Sequence, residues 1–292
     1  MRFSKYEVLL KVFEYGNITK ASEELNYTQS GVSQIISAFE NEFGFRIFIR
    51  NKSGITPTEN GLRIKAPLEH IVKWENILKK LGDSIVGLKN GEIKIGVFSS
   101  VAMQWIPGII KEFSALHPDI SYELVYGNYE EINELIHQDK IDCGFTVEYP
   151  ELHAAFIPLI QDEFYVVLPP NHKLSKMTSI PINCLDGEDL IMPAEGDKFD
   201  VGKIIKDTGI KPNIRFRSGD DYSAVAMVEK DLGFCILPHL ILEGIESKAI
   251  SRPLSEHFYR SLGLSVHSMQ YITPLTSAFI DFVVDWIRNR YS

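Results

Sequence analysis

The sequence has few cysteines, and they are not arranged as a redox or metal site would require. Only three occur, Cys143, Cys184 and Cys235, and they lie far apart in the chain. Two of them fall in apolar, strand-like runs, IDCGF and GFCIL, where a thiol is usually buried and inert. The eight histidines form no H-x3-H or HExxH pattern. We therefore expect neither a metal nor another cofactor.

Long apolar runs are missing as well. The N-terminal segment MRFSKYEVLLKVFEYG carries charges throughout and so lacks the apolar centre of a signal peptide. No apolar stretch of about 18 residues follows, which is the length that a membrane helix requires. The sequence therefore predicts a cytoplasmic protein without a membrane partner.

Charge is unevenly distributed along the 292 residues. The net charge of −9 alone would disfavour an anionic partner. Residues 1–90 nevertheless hold 13 Lys and Arg against 10 Asp and Glu, whereas the remainder holds 17 against 29. The first third can therefore approach a polyanion. With 45% apolar and 24% charged residues, a chain of this length is expected to fold into two or more domains.

Three short helices with brief connections are predicted at the N-terminus. Apolar residues recur at helical spacing through residues 4–15, and Gly16 is a natural stop. Asn17 is an N-cap candidate for the second helix, ITKASEEL, and Thr28 is one for the third, which ends at Gly44. The last two helices are separated by a short turn, which is the arrangement of a helix-turn-helix.

The third helix, residues 28–43, has two unlike faces. The apolar face is formed by Val32, Ile35, Ile36, Phe39 and Phe43. The opposite face carries hydroxyls and amides, from Ser30, Ser33, Gln34, Ser37 and Asn41. Ser and Asn compete with the helix backbone, so an ordinary solvent-facing surface would use Lys and Glu instead. The composition of this face favours contact with a partner.

A β-hairpin and a long helix follow. FRIFIR and ITPT alternate in strand fashion around the turn NKSG, which predicts a wing over residues 45–57. A helix is then expected from Thr58 to about Leu88, kinked or interrupted at Pro67. Two apolar rows repeat every seven positions in it, as in helices that pair, although a helix packed on its own domain is the alternative. The candidate dimerisation residues are Ile64, Ile71, Trp74, Leu78 and Leu81.

Strands and helices alternate from Glu92 onward. EIKIGVF, SYELVYG and IDCGFTV are strand-like, and the segments between them, VAMQWIPGIIKEFSAL and NYEEINELIHQ, have helical patterns. The alternation continues through NIRFRS, DYSAVAMVEKD and GFCILP. It predicts parallel-rich α/β sheets, and about 200 residues suffice for two lobes.

The N-terminal motifs resemble those of LysR-type transcriptional regulators. In the segments GNITKASEELNYTQSGVSQIISAFENEFGFRIFIR and ITPTENG, the residues in register with the family pattern are Ala21, Leu25, Gln29, Val32, Ser33, Ile36, Glu40, Gly44, Phe48, Arg50, Thr58 and Gly61. The departures include Thr28 for Ser, and Ser30 and Gly31 for Pro-Ala. Segments of the second part, among them GEIKIGVFSS, IDCGF, DEFYVVLPPNHKL and VEKDLGFCILP, resemble the effector domain of that family more loosely.

The resemblance covers nearly the whole chain and implies its fold. We expect an α/β protein with an all-α-plus-wing head. Residues 1–58 would form a winged helix-turn-helix and residues 59–90 a linker and dimerisation helix. Residues 91–292 would form a two-lobed effector domain like a periplasmic binding protein. Lobe I would comprise about 91–167 and 268–292, and lobe II about 168–267, with crossovers at 168–170 and 265–269.

The resemblance also places the helix of residues 28–43 in the major groove of double-stranded DNA. Its amides and hydroxyls can contact base edges, while the wing and nearby hydroxyls can contact phosphates, although any single one could be an ordinary solvated residue. The candidate DNA-binding residues are Thr28, Gln29, Ser30, Ser33, Gln34, Ser37, Arg50, Lys52, Thr56 and Thr58.

A small-molecule effector is expected between the lobes. Ser99 and Ser100 lie where a strand gives way to a helix, whose N-terminal N–H groups favour an anion, although a plain Ser N-cap fits the same pattern. Open α/β sheets bind ligands beyond the carboxyl ends of their strands. The candidate effector-binding residues are Ser99, Ser100, Asn128, Thr146, Glu195, Phe199 and Ser218. Their mixture does not identify the effector.

The preferred hypothesis is a non-enzymatic regulator that binds promoter DNA as a homodimer or homotetramer, with RNA polymerase as a candidate partner. The alternative is an α/β solute-binding or enzymatic protein with an accessory helical domain. Against an enzyme, the sequence has no GxSxG, P-loop or GxGxxG motif. A solute-binding protein would also carry an export signal. The acid pair Asp220 and Asp221 is better explained as a helix N-cap and its neighbour.

Overall fold

The computed structural model describes residues 3–51, 54–86, 91–149, 154–193 and 199–291, except the side chains of residues 80, 81 and 83–86. The chain divides into two units, Met1–Val86 and Gly87–Ser292. Each unit is built around hydrophobic cores of its own.

The first unit begins with three capped helices, α1 (Lys5–Tyr15), α2 (Ile18–Glu24) and α3 (Gln29–Phe43). The predicted N-caps are confirmed, since Asn17 and Thr28 each accept a hydrogen bond from a backbone N–H of the following turn. Gly16 and Gly44 end α1 and α3 in the left-handed conformation, which glycine adopts without strain. These caps fix both ends of the short turn between α2 and α3.

The apolar face of α3 packs into the core of the first unit. Val32, Ile36 and Phe39 are buried, whereas Phe43 is 51% exposed and stacks on Phe39 with ring centroids 4.5 Å apart. The other buried residues of this core are Val8, Leu9, Val12, Ile18, Ala21, Leu25, Ile47, Phe48, Ile55 and Leu68.

The predicted wing is an antiparallel pair, β1 (Phe48–Asn51) and β2 (Gly54–Pro57). The long helix α4 (Glu59–Val86) begins directly after Thr58 and continues through Pro67, so the proline does not interrupt it. Residues 87–90, expected to end the linker, lie outside the described residues.

The described strands and α-helices of the second unit follow in chain order: β3 (Gly91–Val97), α5 (Ser99–Gln104), α6 (Ile106–Leu116), β4 (Ile120–Tyr126), α7 (Tyr129–His137), β5 (Cys143–Val147), β6 (Ala155–Leu168), β7 (Asp189–Met192), α8 (Asp200–Thr208), β8 (Asn213–Arg217), α9 (Asp221–Val228), β9 (Cys235–Pro238), α10 (His239–Leu242), β10 (Ile250–Pro253), β11 (Tyr259–Val266) and α11 (Pro274–Tyr291).

The single helix predicted over residues 101–116 is divided into α5 and α6 at Trp105, because Pro107 in the first turn of α6 cannot continue the preceding helix.

Two strands, β6 and β11, are shared between the lobes. Residues 155–163 of β6 pair with β11, and residues 164–168 pair with β9 and β10. Residues 262–265 of β11 pair with β5 of lobe I. The chain therefore changes lobe near Glu163 and Tyr259, which corrects the predicted crossovers at 168–170 and 265–269 and moves the predicted lobe limits with them. Pro158 and the polar run QDE at residues 161–163, in the middle of β6, hide the length of this strand in the sequence.

The main sheet is mixed rather than parallel-rich, with the strand order β10-β6-β11-β5-β3-β4 and with β9 also paired to β6. β3 runs parallel to β4 and β5, and β7 runs parallel to β8. The described pairings of β6 and β11 are antiparallel. The prediction of parallel-rich sheets is wrong here because some consecutive strands, such as β10 and β11, have no helix between them.

Each lobe has its own buried core. Trp105, Phe113 and Phe279 are among the large side chains of the lobe I core, and the lobe II core includes Leu190 and Val201. Cys143 and Cys235 are buried as predicted, and burial raises the pKa of the Cys235 thiol, which keeps it protonated and inert. Within the described ranges, none of the helices combines the length and the apolar character that a bilayer span needs.

Candidate DNA interface and ligand cleft

The polar face of α3 is open to solvent. Gln29, Ser30, Gln34 and Ser37 are exposed, and Ser33 is half-buried. This face lies opposite the buried apolar stripe, so packing in the core holds the polar groups outward. They can meet the edges of bases in a groove as donors and as acceptors.

Arg50 on the wing lies against this face. Its Nη2 donates a hydrogen bond to Oγ of Ser33 across 3.1 Å, which joins two predicted DNA-binding residues from different elements. Thr56, on the neighbouring strand, is exposed, with Oγ1 3.5 Å from Nδ2 of Asn51. Lys52 lies outside the described residues.

Two of the predicted DNA-binding hydroxyls serve as helix caps. Oγ1 of Thr28 accepts from the backbone N–H of Gly31 at 3.1 Å and lies 3.1 Å from Oγ of Ser30. Oγ1 of Thr58 accepts from the backbone N–H of Gly61 at 2.9 Å and donates to the carbonyl of Arg46 at 2.8 Å. The only hydroxyl proton of Thr58 is therefore used within the protein, which leaves none for a phosphate oxygen.

Glu40 positions the wing relative to α3. Its Oε1 accepts hydrogen bonds from the backbone N–H groups of Ile47 at 2.8 Å and Phe48 at 3.2 Å. The sequence pattern places Glu40 among the outward, charged residues of α3, but the side chain is half-buried. A charge-assisted bond to a backbone N–H is stronger than a neutral one, so Glu40 fixes the start of β1.

The predicted dimerisation row of α4 has two different environments. Ile64 is half-buried and packs against the core of the first unit beside the buried Leu68. Ile71, Trp74 and Leu78 are 39%, 47% and 71% exposed. The start of the row therefore packs on its own domain, as the alternative interpretation holds, while the later residues present apolar surface. The side chain of Leu81 lies outside the described residues.

A cleft of about 290 Å³ opens between the two lobes of the second unit. Three predicted effector-binding residues, Ser99, Asn128 and Ser218, line it. The other lining residues are Phe98, Tyr126, Gly127, Tyr129, Glu131, Pro193, Asp200, Val201, Gly219, Asp221, Ile236, Leu237, Pro238 and Arg260.

Strand ends and helix starts place these polar groups in the cleft. Oγ of Ser99 lies 2.6 Å from Oη of Tyr126, at the end of β4. Asn128 caps α7, with Oδ1 accepting from the backbone N–H of Glu131 at 2.8 Å. Ser218 follows β8 and donates from Oγ to the carbonyl of Asp220 at 2.6 Å. The cleft thus lies beyond the carboxyl ends of strands, where open α/β sheets bind ligands.

Two other predicted effector-binding residues are buried and do not line the cleft. Ser100 is fully buried, and its Oγ accepts from Nη2 of Arg260 at 3.1 Å. Thr146 is also fully buried, with Oγ1 2.6 Å from Oγ of Ser265 on the neighbouring strand. Neighbouring residues in a strand, or at the start of a helix, point to different sides. Ser100 and Thr146 therefore lie near the cleft in the chain while their side chains point away from it.

Phe199 lies beside the lining. Its ring makes edge contacts with the rings of Tyr129 and Tyr149, with centroids 5.6 and 5.2 Å apart. It therefore packs a lobe II residue against lobe I. Glu195 lies outside the described residues.

A buried charged cluster forms the floor of the cleft. Nε and Nη2 of Arg260 donate to Oδ2 of Asp162 at 2.9 and 2.7 Å. Nη1 donates to Oη of Tyr129 at 2.5 Å and lies 3.9 Å from Oδ2 of Asp200. The Tyr129 hydroxyl in turn donates to Asp200 at 3.3 Å. The cluster brings together residues of β6, β11, α7 and α8, so it joins both lobes.

The cluster shifts the pKa values of two of its members. Burial lowers the pKa of Arg260, but the charges of Asp162 and Asp200 and the Tyr129 hydroxyl raise it by more, so the guanidinium stays protonated. For Asp200, burial raises the pKa above its ordinary value, against the opposing effects of Arg260 and Tyr129. Forming this ion pair therefore requires both charged groups to lose their contacts with water, which costs free energy.

Comparison with known families agrees with both units. A family model described as "Bacterial regulatory helix-turn-helix protein, lysR family" matches residues 3–62, and one described as "LysR substrate binding domain" matches residues 87–288. The chain belongs to the LysR family. It is a DNA-binding transcriptional regulator with an effector-binding domain.

Similar proteins align with most or nearly all of this LysR-family chain. The HTH-type transcriptional regulator YvbU of Bacillus subtilis (strain 168) is 28% identical over 284 residues, which are 96% of this chain and 97% of YvbU. Full-length CbnR complexed with its target DNA has 17% identity and a TM-score of 0.59, covering 98% of this chain and all of that chain. The effector-binding domain of QuiR in complex with shikimate has 22% identity and a TM-score of 0.62, covering 70% of this chain and all of that chain. At these identities the two structures show the fold.

The charged cluster of this LysR-family regulator was absent from the residues predicted for the cleft. One signal was present, since Arg260 is the single charge of the largely apolar strand β11. Asp162 lies beside Glu163 in the middle of β6. Arg260 and Asp162 face each other directly in the register of β6 and β11. That register joins positions far apart in the chain, so the sequence pattern alone did not pair them.

Proposed function

We propose that a small polar effector enters the cleft between the lobes and thereby changes how the protein engages promoter DNA. The observation that carries the proposal is the cleft of about 290 Å³ at the lobe junction. A ligand there touches both lobes, so it can favour one lobe arrangement over another.

The effector contacts that we propose are the polar groups at the mouth and floor of the cleft, Ser99, Tyr126, Asn128, Ser218 and Arg260. Hydroxyls and an amide beside a guanidinium suit a small molecule with several polar groups. The shikimate complex of QuiR supports a ligand of this general kind. We infer that the regulator needs no cofactor beyond this effector.

For DNA, we propose base contacts from Gln29, Ser30, Gln34 and Ser37, and phosphate contacts from Arg50 and Thr56. The exposure of the amides and hydroxyls on α3 supports the first group, and the position of Arg50 beside α3 supports the second. The CbnR complex with target DNA supports DNA binding by a chain of this fold.

We further propose that copies of the chain pair through Ile71, Trp74 and Leu78 of α4, as a homodimer or homotetramer. Ile71 and Leu78 are seven residues apart and Trp74 lies three residues after Ile71, so their exposed apolar surface has the spacing of a helix-pairing seam. Acting on promoters, such a regulator would meet RNA polymerase in the cytoplasm and would have no enzymatic activity of its own.

The proposal is tested first by DNA binding. Fluorescence anisotropy should show tighter binding to the fragment upstream of the protein's own gene than to random DNA of equal length. Affinity should fall steadily with salt, because the release of DNA counterions gains less free energy when the solution already contains more salt. Equal affinity for both fragments at every salt concentration would refute sequence-specific regulation.

A thermal-shift screen of small metabolites then tests the cleft. A true effector should raise the melting temperature of the wild type and lose much of that effect in Tyr126→Phe, because the variant removes one hydroxyl of the lining. Tyr15→Phe, on α1 of the first unit, is the matched control. A ligand that stabilises both variants equally binds elsewhere.

A further inference from the structure

Asp200 is a lobe II residue whose carboxylate lies against lobe I. The residue that follows it, Val201, belongs to the lobe II core, whereas the preceding Phe199 packs against the lobe I core. Oδ2 of Asp200 accepts from Oη of Tyr129 at 3.3 Å and lies 3.9 Å from Nη1 of Arg260. The start of α8 therefore bridges the cleft through this carboxylate.

Arg260 has another carboxylate as its close partner. Its Nε and Nη2 both donate to Asp162, and Nη2 also donates to Ser100. These bonds leave Nη1 directed to Oη of Tyr129 and to Asp200. Asp162 and Ser100 thus fix the guanidinium, and Nη1 with the Tyr129 hydroxyl forms a place for a carboxylate, which we name the carboxylate seat.

Asp200 occupies this seat loosely. Its contacts of 3.3 and 3.9 Å are long beside the 2.7 and 2.9 Å bonds between Arg260 and Asp162. Its side chain is only 11% exposed, so water does not compensate for the long contacts. A carboxylate that made shorter, charge-assisted bonds in the seat would be held more strongly.

We propose that Asp200 is a built-in latch between the lobes, and that the effector is a small monocarboxylate that replaces it in the carboxylate seat. Replacement frees the start of α8 from Tyr129 and Arg260, which lets lobe II change its position. The inference rests on the proposed function in one respect, namely that the effector enters this cleft.

The rest of the lining favours a single negative charge on the ligand. Glu131 and Asp221 line the same cleft and would repel a second anionic group. Ser99, Tyr126 and Ser218 offer hydroxyls to the uncharged remainder of the ligand. A monocarboxylate with polar substituents meets both conditions.

Acetate tests the seat without knowledge of the effector. In the full-length Asp200→Ala variant the seat is empty, so sodium acetate should raise the melting temperature relative to sodium chloride at equal ionic strength. The expected shift is about 3–6 °C at ten times the dissociation constant of acetate. The matched control is Asp207→Ala, an exposed acid of the same helix. Wild type and control should shift much less, because Asp200 still fills the seat.

Two further measurements test whether the acetate-induced rise in melting temperature arises at the carboxylate seat. Adding Tyr129→Phe to Asp200→Ala should abolish most of the acetate shift, since it removes a donor of the seat. Amide hydrogen exchange at the start of α8 should be faster in Asp200→Ala than in Asp207→Ala, and acetate should slow it again. If Asp200→Ala does not fold, Asp200→Ser replaces it, because serine is also small enough to leave the seat open.

The latch proposal is overturned if acetate raises the melting temperatures of wild type, Asp200→Ala and Asp207→Ala equally. It is also overturned if acetate still raises the melting temperature after Tyr129→Phe is added to Asp200→Ala. It is also overturned if exchange at the start of α8 is the same in both single variants. These measurements use neither DNA nor effector, so their failure leaves the proposed function standing. Conversely, failure of promoter binding would leave the acetate result intact.

Discussion

Arg50 of the wing and Ser33 of α3 form a hydrogen bond 3.1 Å long between Nη2 and Oγ. It joins a cation suited to phosphates to a helix suited to base edges. The pairing orients the guanidinium before any DNA is present, which reduces the side-chain entropy lost on binding.

Arg50→Ala should weaken binding to all DNA sequences and lower the slope of log affinity against log salt by about 1, because one phosphate contact is lost. Ser33→Ala keeps the cation and should leave that slope unchanged, while weakening binding to all fragments by less than Arg50→Ala does, because only the bond that orients the guanidinium is lost. Anisotropy titrations at several salt concentrations separate the two outcomes. Lys11→Ala, at a half-exposed cation on α1, is the control, and an equal loss of slope there would contradict a specific role for Arg50.

Leu78→Lys should weaken self-association, because it places a charge in the exposed apolar row of α4. Leu62→Lys is the matched control, since Leu62 is also exposed, at 59%, on the same helix but outside the row. Sedimentation velocity over a concentration series measures the change. The proposed pairing surface is refuted if both variants associate as the wild type does.

Gly61→Ala should destabilise the first unit by about 1–3 kcal/mol, since a methyl group there overpacks a tight contact. An added Cβ would lie 2.2 Å from the carbonyl oxygen of Ile47, so α4 and the wing would have to separate. In Gly82→Ala, on the same helix, the new Cβ meets nothing within 4 Å. That control should be stabilised by about 0.5–1 kcal/mol through helix propensity. Urea unfolding of the two variants should show shifts of opposite sign.

Arg260→Met should destabilise the second unit by about 3–5 kcal/mol, because it leaves Asp162 buried without its partner. Asp162 is 4% exposed, so water cannot replace the guanidinium. Thermal unfolding measures the loss. Arg290→Met, on the exposed end of α11, should change the melting temperature little. Comparable losses in both variants would show that the buried pair has no special part in stability.

Asp220→Ala should destabilise the second unit by about 1 kcal/mol at neutral pH, because Asp220 caps α9 by accepting from the backbone N–H of Ser223. Hydrogen bonds from the Ser223 side chain and backbone lower the pKa of Asp220. Since the pKa is lower in the folded protein, this stabilisation is present above the ordinary pKa and is lost as the pH falls through the lowered value. The difference in melting temperature from wild type should therefore disappear in strong acid. A difference independent of pH would exclude the ionised cap.

Features fixed by neighbouring residues could be predicted from the sequence. Asn17 and Thr28 cap α2 and α3, and Gly44 ends α3, because a cap needs only the residues of the adjoining turn. Asp220 is likewise the N-cap that its position indicates. The apolar stripe of α3 faces the core for the same reason, since helical periodicity is a property of one segment.

The floor of the cleft depends instead on contacts between distant segments. Arg260 lies 98 positions from Asp162 and 160 from Ser100 in the chain. Their meeting requires the register of β6 and β11, which no local pattern specifies. The contrast between Ser99 and Ser100 has the same origin. Both stand at the start of α5, but Ser99 lines the cleft whereas Ser100 faces the interior, where it is buried and bonded to Arg260.

The contact between α4 and the wing fixes which side of α4 each of its residues faces. Thr58 bonds to Gly61 and to the carbonyl of Arg46, so the first turn of α4 cannot rotate freely about its axis. One residue inserted after Gly61 would turn every later side chain by about 100° and carry Trp74 and Leu78 to another side. An insertion of seven residues would nearly restore the direction while moving the row by about 10 Å. In the pairing proposed above, the residue count between the wing and the paired residues of α4 would therefore set the spacing of the two DNA half-sites.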